Sequence, residues 1–255
     1  MNTIPFQISG KKVIVTGGGS GIGKQVALQF ANQEAEVIII SRTEKQLRKV
    51  AAHHPGQLFP VTADLSRREG VEDALQQIIS HWSQIDVLVN AAGAICGTST
   101  QDPLIEAEES WQEDIGNNLT SSYFMSHVCA PYMARPGGRM INISSIAAFT
   151  GGRRPGAMSY AAAKSGLTGL TFALARELSP EGITANVIAP GFIADTDFTA
   201  HWPEVAIQGI VRETPVGRPG HVSDIAAAVQ FLASDEASFI TGEILHVNGG
   251  WTFGY

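Results

Sequence analysis

The sequence predicts an α/β fold, a doubly wound sheet of about seven parallel strands with helices on both faces. Short apolar runs with strand character alternate with helical patterns from one end of the chain to the other. These runs are continuously apolar rather than alternating, which is typical of parallel strands covered on both faces. No linker, internal repeat or low-complexity segment interrupts the pattern. We therefore expect one domain over residues 1–255.

Seven apolar runs supply the strands, at residues 13–15, 37–40, 58–61, 87–89, 140–143, 187–188 and 244–245. Between the first two, Ile22, Val26 and Phe30 recur every four residues and predict a helix over about 22–31. Further helical patterns follow the second to fifth runs. We expect one long helix ending near Met133, and another ending near Leu178.

The segment 192–219 lies between the last two strands and contains three prolines and several glycines. Long excursions of this kind in compact domains are often lids or binding loops. Its aromatic and imidazole side chains either line an apolar pocket or pack the lid on the body: Phe192, Phe198, His201 and Trp202.

Size and charge exclude several classes of protein. The chain has 255 residues, of which 44% are hydrophobic and 16% charged, as in globular enzymes. A net charge of -7 argues against binding to nucleic acid or to an anionic membrane. The apolar runs are too short to span a bilayer, and the N-terminus lacks the pattern of a signal peptide. The two cysteines, Cys96 and Cys129, have no paired spacing and indicate a cytoplasmic protein.

A glycine-rich segment, residues 16–23, follows the first predicted strand and opens the first helix. Glycines at such a turn allow close approach of the backbone to a phosphate, and the helix N-terminus supplies N–H donors. The spacing is neither G-x-G-x-x-G nor a P-loop, and the alternative is a merely flexible turn. The segment predicts a phosphate-binding loop that includes Gly17, Gly19, Ser20, Gly21 and Ile22.

The end of the second strand predicts which dinucleotide binds. A carboxylate there would bind the adenine-ribose hydroxyls of NAD, and the chain has Ser41 and Arg42 instead. A guanidinium forms charge-assisted hydrogen bonds with a 2′-phosphate. We therefore favour NADP(H) over NAD(H). The alternative is that Arg42 only caps the strand end in solvent.

Tyr160 and Lys164 lie four residues apart and therefore share one face of a helix. A phenol beside an ammonium group makes a proton-transfer pair. The positive charge favours phenolate, so we expect the pKa of Tyr160 to lie below its usual value. The alternative is a solvated surface pair.

Six motifs in register resemble the classical short-chain dehydrogenase/reductase family, a family of Rossmann-type folds. They are Thr-Gly-x-x-x-Gly-Ile-Gly from Thr16, Asn90-Ala91-Ala92-Gly93, Ile143-Ser144-Ser145, Tyr160-x-x-x-Lys164, Pro190-Gly191 and Val247-Asn248-Gly249-Gly250. The resemblance covers essentially the whole chain. The second motif departs from the family by an alanine at Ala91, and the Ser145–Tyr160 spacing is slightly longer than is common.

The resemblance implies a catalytic set of Asn118, Ser145, Tyr160 and Lys164. Tyr160 would exchange a proton with the substrate oxygen and Ser145 would hydrogen-bond the same oxygen. Lys164 would bind the nicotinamide ribose, and Asn118 would hold a water that relays protons to Lys164. The neighbours Ser144 and Asn117 are alternatives, and the family pattern favours the second residue of each pair.

The resemblance also extends the cofactor site. Asp64 and Leu65 would contact adenine, although the aspartate could equally cap the following helix. The remaining cofactor residues would lie along the other strand ends: Asn90, Ala91, Gly93, Tyr160, Lys164, Pro190, Gly191, Ile193 and Thr196. No cluster of His, Cys and Asp suggests a metal site.

The substrate implied is a carbonyl or secondary alcohol, because the chain is similar to 3-oxoacyl-(acyl carrier protein) reductases. Glu181 stands where such reductases commonly have a basic residue, which disfavours an acidic carrier as partner. A small ketone, a sugar or polyol, or an acyl-CoA stays open. Arg153 and Arg154 are candidates for contact with an anionic substrate, or a solvated turn.

Family resemblance further implies a homotetramer, with the helix that ends near Met133 and the Tyr160 helix paired across two-fold axes. Two rival functions remain. One is a nucleotide-binding regulator that has lost turnover, which the intact set of four catalytic residues disfavours. The other is a dehydratase or epimerase, for which the chain has little room.

Overall fold

The computed structural model describes residues 5–152, 155–194, 196, 198–200 and 202–253. Its centre is a seven-stranded sheet in the order β3-β2-β1-β4-β5-β6-β7, and every pair of neighbours is parallel. The strands are β1 (Lys12–Thr16), β2 (Glu36–Ser41), β3 (Leu58–Thr62), β4 (Val87–Asn90), β5 (Arg139–Ile143), β6 (Thr184–Pro190) and β7 (Ile244–Val247). The predicted fold class is confirmed.

Nine α-helices of the described part cover both faces of the sheet. They are α1 (Gly21–Ala31), α2 (Glu44–Ala51), α3 (Arg68–His81), α4 (Leu104–Ile115), α5 (Ser121–Cys129), α6 (Ala147–Thr150), α7 (Met158–Leu178), α8 (Glu204–Glu213) and α9 (Val222–Ala233). One hydrophobic core lies between one face of the sheet and helices α1, α2 and α9. A second core packs α3, α5 and α7 on the other. Coverage on both faces explains the continuously apolar strands.

The long helix expected to end near Met133 is broken into several parts. A π-helical turn, Gly116–Thr120, separates α4 from α5, and a 3-10 turn, Ala130–Tyr132, follows α5. At the π turn the side-chain Nδ2 of Asn118 donates to the carbonyl of Asp114, the acceptor that an α-helix would assign to the backbone. The N–H of Ser121 donates to the carbonyl of Gly116, five residues back. Single π turns often mark functional sites.

The excursion 192–219 is partly helical, because it contains α8. Its start is held against Gly220, the residue after its end, by one β-bridge from Ile193. Two backbone hydrogen bonds form this contact, from the N–H of Ala194 to the carbonyl of Gly220 and from the N–H of Gly220 to the carbonyl of Phe192. Within the described residues, no helix is both long and apolar enough to cross a membrane.

Candidate active site

A cleft opens at the carboxyl ends of the strands, where the chain order reverses between β1 and β4. In doubly wound sheets this reversal leaves a crevice for ligands. A cavity of about 790 Å³ extends from the glycine loop after β1 to the ends of β5 and β6. A second cavity of about 180 Å³ continues toward the end of β2. Both are lined by Gly17, Ser20 and Gly93, so together they form one elongated cleft.

The glycine loop needs its glycines where the backbone is most crowded. A Cβ at Gly17 would lie 2.8 Å from the carbonyl oxygen of Ala91, and Gly17 has a φ of +69°. A Cβ at Gly23 would lie 2.4 Å from the carbonyl oxygen of Gly17. Contacts under 3 Å leave no room for a side chain. The glycines therefore bring the loop close to β4 and pack α1 tightly onto it, which leaves the α1 N-terminus facing the cleft.

Thr16 fixes the two strand ends that border the cleft, a role that the sequence reading missed. Its Oγ1 accepts hydrogen bonds from the N–H groups of Ala91 at 3.1 Å and Ala92 at 3.0 Å. The side chain is only 2% exposed. A hydroxyl at the end of β1 thus holds the loop after β4 in place.

The smaller cavity contains the residues predicted to distinguish the two dinucleotides. Gly19, Ser41, Arg42, Asp64 and Leu65 all line it. Burial raises the pKa of Asp64, but hydrogen bonds from Ser66 and the nearby charge of Arg42 lower it, and the net result is a lowered pKa. Arg42 and Asp64 are therefore neighbours in this cavity. Arg42 itself is exposed and, within the described part of the chain, makes no hydrogen bond or ion pair.

The four predicted catalytic residues meet in the larger cavity. Asn118, Ser145, Tyr160 and Lys164 all line it. Ser145 lies close enough to Tyr160 for its hydroxyl to lower the pKa of the phenol, and the Nζ of Lys164 lies 5.7 Å from the centre of the Tyr160 ring. The same Nζ donates to the carbonyl of Ile143 at the end of β5, at 2.9 Å. Lys164 is 4% exposed and is the one cation among the described residues that line this cavity.

The predicted direction of the Tyr160 pKa is wrong for this arrangement. Burial raises the pKa of Tyr160 to about 12, the Ser145 hydroxyl lowers it, and the charge of Asp114 raises it further. Burial also lowers the pKa of Lys164 to about 8. The cost of ionising a phenol in this site therefore sets the direction of the shift, and Lys164 is not among the groups that move the pKa of Tyr160. Tyr160 is held as a neutral phenol, a proton donor.

In the described part of the chain, the side-chain amide of Asn118 uses its donor group, Nδ2, but not its acceptor, Oδ1. Its Nδ2 donates to the carbonyls of Ala94 at 2.7 Å and Asp114 at 2.8 Å. Its Oδ1 is buried and has no hydrogen-bond partner among the described residues. A Cβ built on Gly93 would lie 2.7 Å from this Oδ1 and 3.3 Å from the Nζ of Lys164. The free acceptor and the lysine thus flank the same point of the cleft.

The structure distinguishes between the two members of each adjacent pair of candidates, Ser144 and Ser145, and Asn117 and Asn118. Ser144 is 3% exposed and donates its hydroxyl to the carbonyl of Lys164 at 2.9 Å, so it is engaged in packing. Ser145 accepts from the N–H of Ala147, lines the larger cavity and lowers the pKa of Tyr160. Asn117 lines the smaller cavity and Asn118 the larger. This geometry supports Ser145 and Asn118, whose roles stay predictions.

Asn90 is the one predicted cofactor residue that lines neither cavity. Its side chain is 1% exposed and donates to Asn142 at 2.9 Å and Ser126 at 3.1 Å. It therefore ties β4 to β5 and α5 behind the cleft, and its bonds do not support direct contact with a cofactor. The other predicted residues along the strand ends do line the larger cavity: Ile22, Gly21, Ala91, Pro190, Gly191, Ile193 and Thr196.

Aromatic side chains form the outer wall of the larger cavity. Phe198 lies 5.6 Å from Tyr160 between ring centres, and Phe192 lies 5.5 Å from Trp202. Trp251, near the C-terminus, also lines the cavity, which the sequence reading did not anticipate. His201, Arg153 and Arg154 lie outside the described residues. No group of three or more His, Cys, Asp or Glu side chains within the described part could hold a metal ion.

The cleft fits a nicotinamide dinucleotide by its own chemistry. The glycine loop leaves the backbone bare at the N-terminus of α1, and Ser20 makes no capping hydrogen bond there. Such an end binds phosphate groups. The unpartnered Asn118 Oδ1 and the buried Lys164 ammonium offer an acceptor and donors at the far end. Polar groups therefore lie along the cleft where phosphates and ribose need them.

The comparisons with known proteins agree with this geometry. A family model described as enoyl-(acyl carrier protein) reductase matches residues 17–252. The chain is 40% identical over 246 residues to the 3-oxoacyl-(acyl-carrier-protein) reductase FabG of Haemophilus influenzae, covering 95% of this chain and 98% of the relative. It is 35% identical over 251 residues to the FabG protein of Thermotoga maritima, covering 96% and 99%.

A solved structure extends the likeness to three dimensions. It is a 7α-hydroxysteroid dehydrogenase complexed with NADH and 7-oxo glycochenodeoxycholic acid, with a TM-score of 0.88 and 31% identity, covering 96% of this chain and 95% of that one. Fold, cleft and relatives agree. The protein belongs to the short-chain dehydrogenase/reductase family and is a nicotinamide-dependent oxidoreductase.

Proposed function

We propose that the protein reduces 3-oxoacyl thioesters to 3-hydroxyacyl thioesters with NADP(H), and that Asn118, Ser145, Tyr160 and Lys164 are its catalytic residues. The observation that carries the proposal is the placement of Ser145, Tyr160 and the buried Lys164 together at the inner end of the nucleotide cleft. The relatives named as 3-oxoacyl-(acyl-carrier-protein) reductases support the choice of substrate.

The chemistry of each residue suits reduction. A nicotinamide cofactor, when bound, supplies the hydride. Tyr160, whose pKa is about 12, is protonated at neutral pH and can donate its proton to the oxygen of a carbonyl. The Ser145 hydroxyl stabilises the negative charge that develops on that oxygen. Lys164 and the free Oδ1 of Asn118 then form the inner end of a path by which a proton returns to Tyr160.

The preference for NADP(H) over NAD(H) rests on Arg42. Its guanidinium lines the smaller cavity beside Ser41, and it has no hydrogen bond or ion pair in the described part of the chain that a ligand would have to displace. A 2′-phosphate would give it a charge-assisted partner. We expect Arg42→Gln to raise the Kd for NADPH by about 10- to 100-fold, which corresponds to the loss of one hydrogen bond between charged groups. The Kd for NADH should stay within about twofold of wild type.

The exposed Arg48 provides a matched control, because its partner is Glu44 on the same helix. Arg48→Gln should change neither Kd by more than about twofold. Equal loss of both nucleotides in Arg42→Gln would mean that Arg42 supports the fold rather than reads the phosphate.

The substrate class is tested by a panel of acceptors: acetoacetyl-CoA, a 3-oxoacyl carrier protein, small diketones, keto-sugars and a 7-oxo steroid. Each is offered with NADPH and with NADH. We expect the highest kcat/KM for a 3-oxoacyl thioester with NADPH. Turnover of free ketones alone would overturn the thioester assignment. Tight NADPH binding with no turnover of any acceptor would favour a nucleotide-binding regulator.

A free apolar ketone is the second candidate, and the aromatic wall of the cavity favours it.

A separate observation bears on the carrier of a thioester substrate. Glu181, in the turn after α7, pairs with Arg135 and so offsets a positive charge on the surface at that turn. A positive surface charge would steer an acidic carrier protein toward the site, and here that charge is offset. A higher kcat/KM for acetoacetyl-CoA than for the carrier-bound thioester is therefore expected.

We further propose a cytoplasmic homotetramer. Helices α4, α5 and α7 present large apolar side chains to solvent: Trp111, Tyr123 and Phe172. Helix α7 has two faces of different exposure, because Ala163 and Leu167 are buried in the chain whereas Gly169 and Ala173 are exposed. The exposed face can therefore meet a second copy. Light scattering after gel filtration should give about four chain masses, and a monomer would contradict the proposal.

A further inference from the structure

Asp114 is a buried carboxylate that the catalytic scheme above does not use. It lies in the last turn of α4 and is 0% exposed. A carboxylate only accepts hydrogen bonds, and three donors converge on this one. The backbone N–H groups of Cys96 and Gly97 lie at 2.8 and 3.2 Å, and the hydroxyl of Ser159 lies at 2.5 Å.

These bonds join three parts of the candidate active site. Cys96 and Gly97 belong to the loop after β4, in which Ala94 and Ile95 line the larger cavity. Ser159 immediately precedes Tyr160 in α7, and its N–H and hydroxyl also contact Thr98 of the same loop, each at 3.3 Å. The carbonyl of Asp114 accepts from Asn118. One residue therefore touches the loop, the neighbour of Tyr160 and the side chain of Asn118.

The position of the carboxylate is specific rather than a by-product of packing. A buried acid is costly unless each of its lone pairs is used, and an apolar residue on the inner face of α4 would avoid that cost. Here two backbone donors and one hydroxyl satisfy it, and all three come from segments that border the cleft. The charge of Asp114 also acts on Tyr160, whose pKa it helps to raise.

We propose that Asp114 is a positioning residue, which through Ser159 and the amides of Cys96 and Gly97 holds Tyr160 and the loop after β4 in the arrangement that proton donation requires. This inference rests on the reductase activity proposed above. Asp114 acts through its neighbours and does not line the cavity.

The test compares Asp114→Asn, Ser159→Ala and the double variant with a control, Glu113→Gln. Glu113 is the exposed neighbour of Asp114 on the same helix. Its carboxylate helps to raise the pKa of the Cys96 thiol. With NADPH and acetoacetyl-CoA we expect Asp114→Asn to lower kcat by about 10- to 100-fold, with the Kd for NADPH within about twofold. The double variant should lose no more than Asp114→Asn alone, because both changes break the same link. The control should stay within about twofold.

A titration without substrate separates this inference from the proposed activity. Among the described residues, the charged and titratable groups around Tyr160 are Asp114 from α4 and Lys164 from its own helix, with the Ser145 hydroxyl nearby. At pH 11 a phenol with a pKa of about 12 is about one-tenth ionised. The tyrosinate absorbance of each protein is therefore measured against its Tyr160→Phe counterpart, and it should be larger in Asp114→Asn than in the wild type or the control.

The outcomes are distinct. A wild type that binds NADPH but reduces no carbonyl overturns the proposed function, whereas the tyrosinate measurement still tests whether the Asp114 carboxylate acts on Tyr160. An unchanged kcat or an unchanged tyrosinate signal in a folded Asp114→Asn overturns the positioning role. So does a double variant whose losses multiply. If Asp114→Asn does not fold, Ser159→Ala alone must still lower kcat at unchanged Kd, and a Ser159→Ala protein with full kcat refutes the inference.

Discussion

Replacing the buried Lys164 by methionine should make the stability of the protein depend on pH differently. Methionine keeps the length and apolar stem of lysine but removes the ammonium. Burial lowers the pKa of Lys164 from 10.5 to about 8 in the folded protein, because the charged form has lost its water. Below pH 8 both the folded and the unfolded wild type carry the proton, and the folded state bears the full cost of the buried charge.

The size of the effect follows from the two pKa values. Between pH 8 and 10.5 the folded lysine loses its proton while the unfolded lysine keeps it, so the free energy of unfolding of the wild type rises with pH. The gain is 1.36 kcal/mol for each pH unit between the two values, about 3 kcal/mol in total. Loss of the hydrogen bond to Ile143 costs the variant about 1–3 kcal/mol at every pH.

The assay is urea unfolding of both proteins, without added nucleotide, from pH 7 to 10.5. The stability of Lys164→Met relative to wild type should fall by about 3 kcal/mol across this range. Lys49→Met, which removes an exposed lysine of α2, serves as the control and should show a difference within about 0.5 kcal/mol throughout. A difference between Lys164→Met and wild type that does not change with pH would refute the argument that burial controls this lysine.

Two further predictions follow from individual contacts. Ser145→Ala should lower kcat by about 10²–10³-fold, as loss of an oxyanion donor does, whereas Ser144→Ala should keep kcat and lose about 1 kcal/mol of stability, measured by steady-state kinetics and urea unfolding. The reverse pattern would exchange the two serines. Gly23→Ala places a Cβ 2.4 Å from the carbonyl oxygen of Gly17, so NADPH binding measured by fluorescence should be lost, while Gly169→Ala, with nothing within 4 Å, should bind normally. Normal binding by Gly23→Ala would contradict the tight packing of α1 on the loop.

The sequence predicted the sheet well because each of its strands is buried on both faces. A run such as 37–40 can only be covered on both sides in a layered α/β fold, and the glycine segment 16–23 places the cleft at the end of β1. The bounds predicted for the first helix were close to the observed ones. The helix over about 22–31 is α1, Gly21–Ala31.

What the sequence did not reveal depends on side-chain contacts across distant segments. The π turn at Asn118 arises because the side chain takes the carbonyl of Asp114, which no periodicity records. The family resemblance made Asn90, the last residue of β4, a cofactor residue, yet its amide donates to Asn142 and Ser126.

The error on the Tyr160 pKa has the same origin. The spacing to Lys164 gave the neighbouring charge, but the burial that raises the pKa of Tyr160 depends on the walls of the cleft. Phe198 is one of those walls, and it comes from the excursion after β6. Sequence spacing therefore identifies a partner more readily than it predicts a solvent environment.

The most direct test of the catalytic assignment is the kcat for acetoacetyl-CoA reduction by Tyr160→Phe, measured with the Kd for NADPH on the same protein. The phenylalanine keeps the ring against Phe198 and removes the proton donor. We expect kcat to fall by at least about 10³-fold while the Kd for NADPH stays within about threefold of wild type. A variant that binds NADPH and retains near-normal kcat would contradict the account, because the proton would then come from another group.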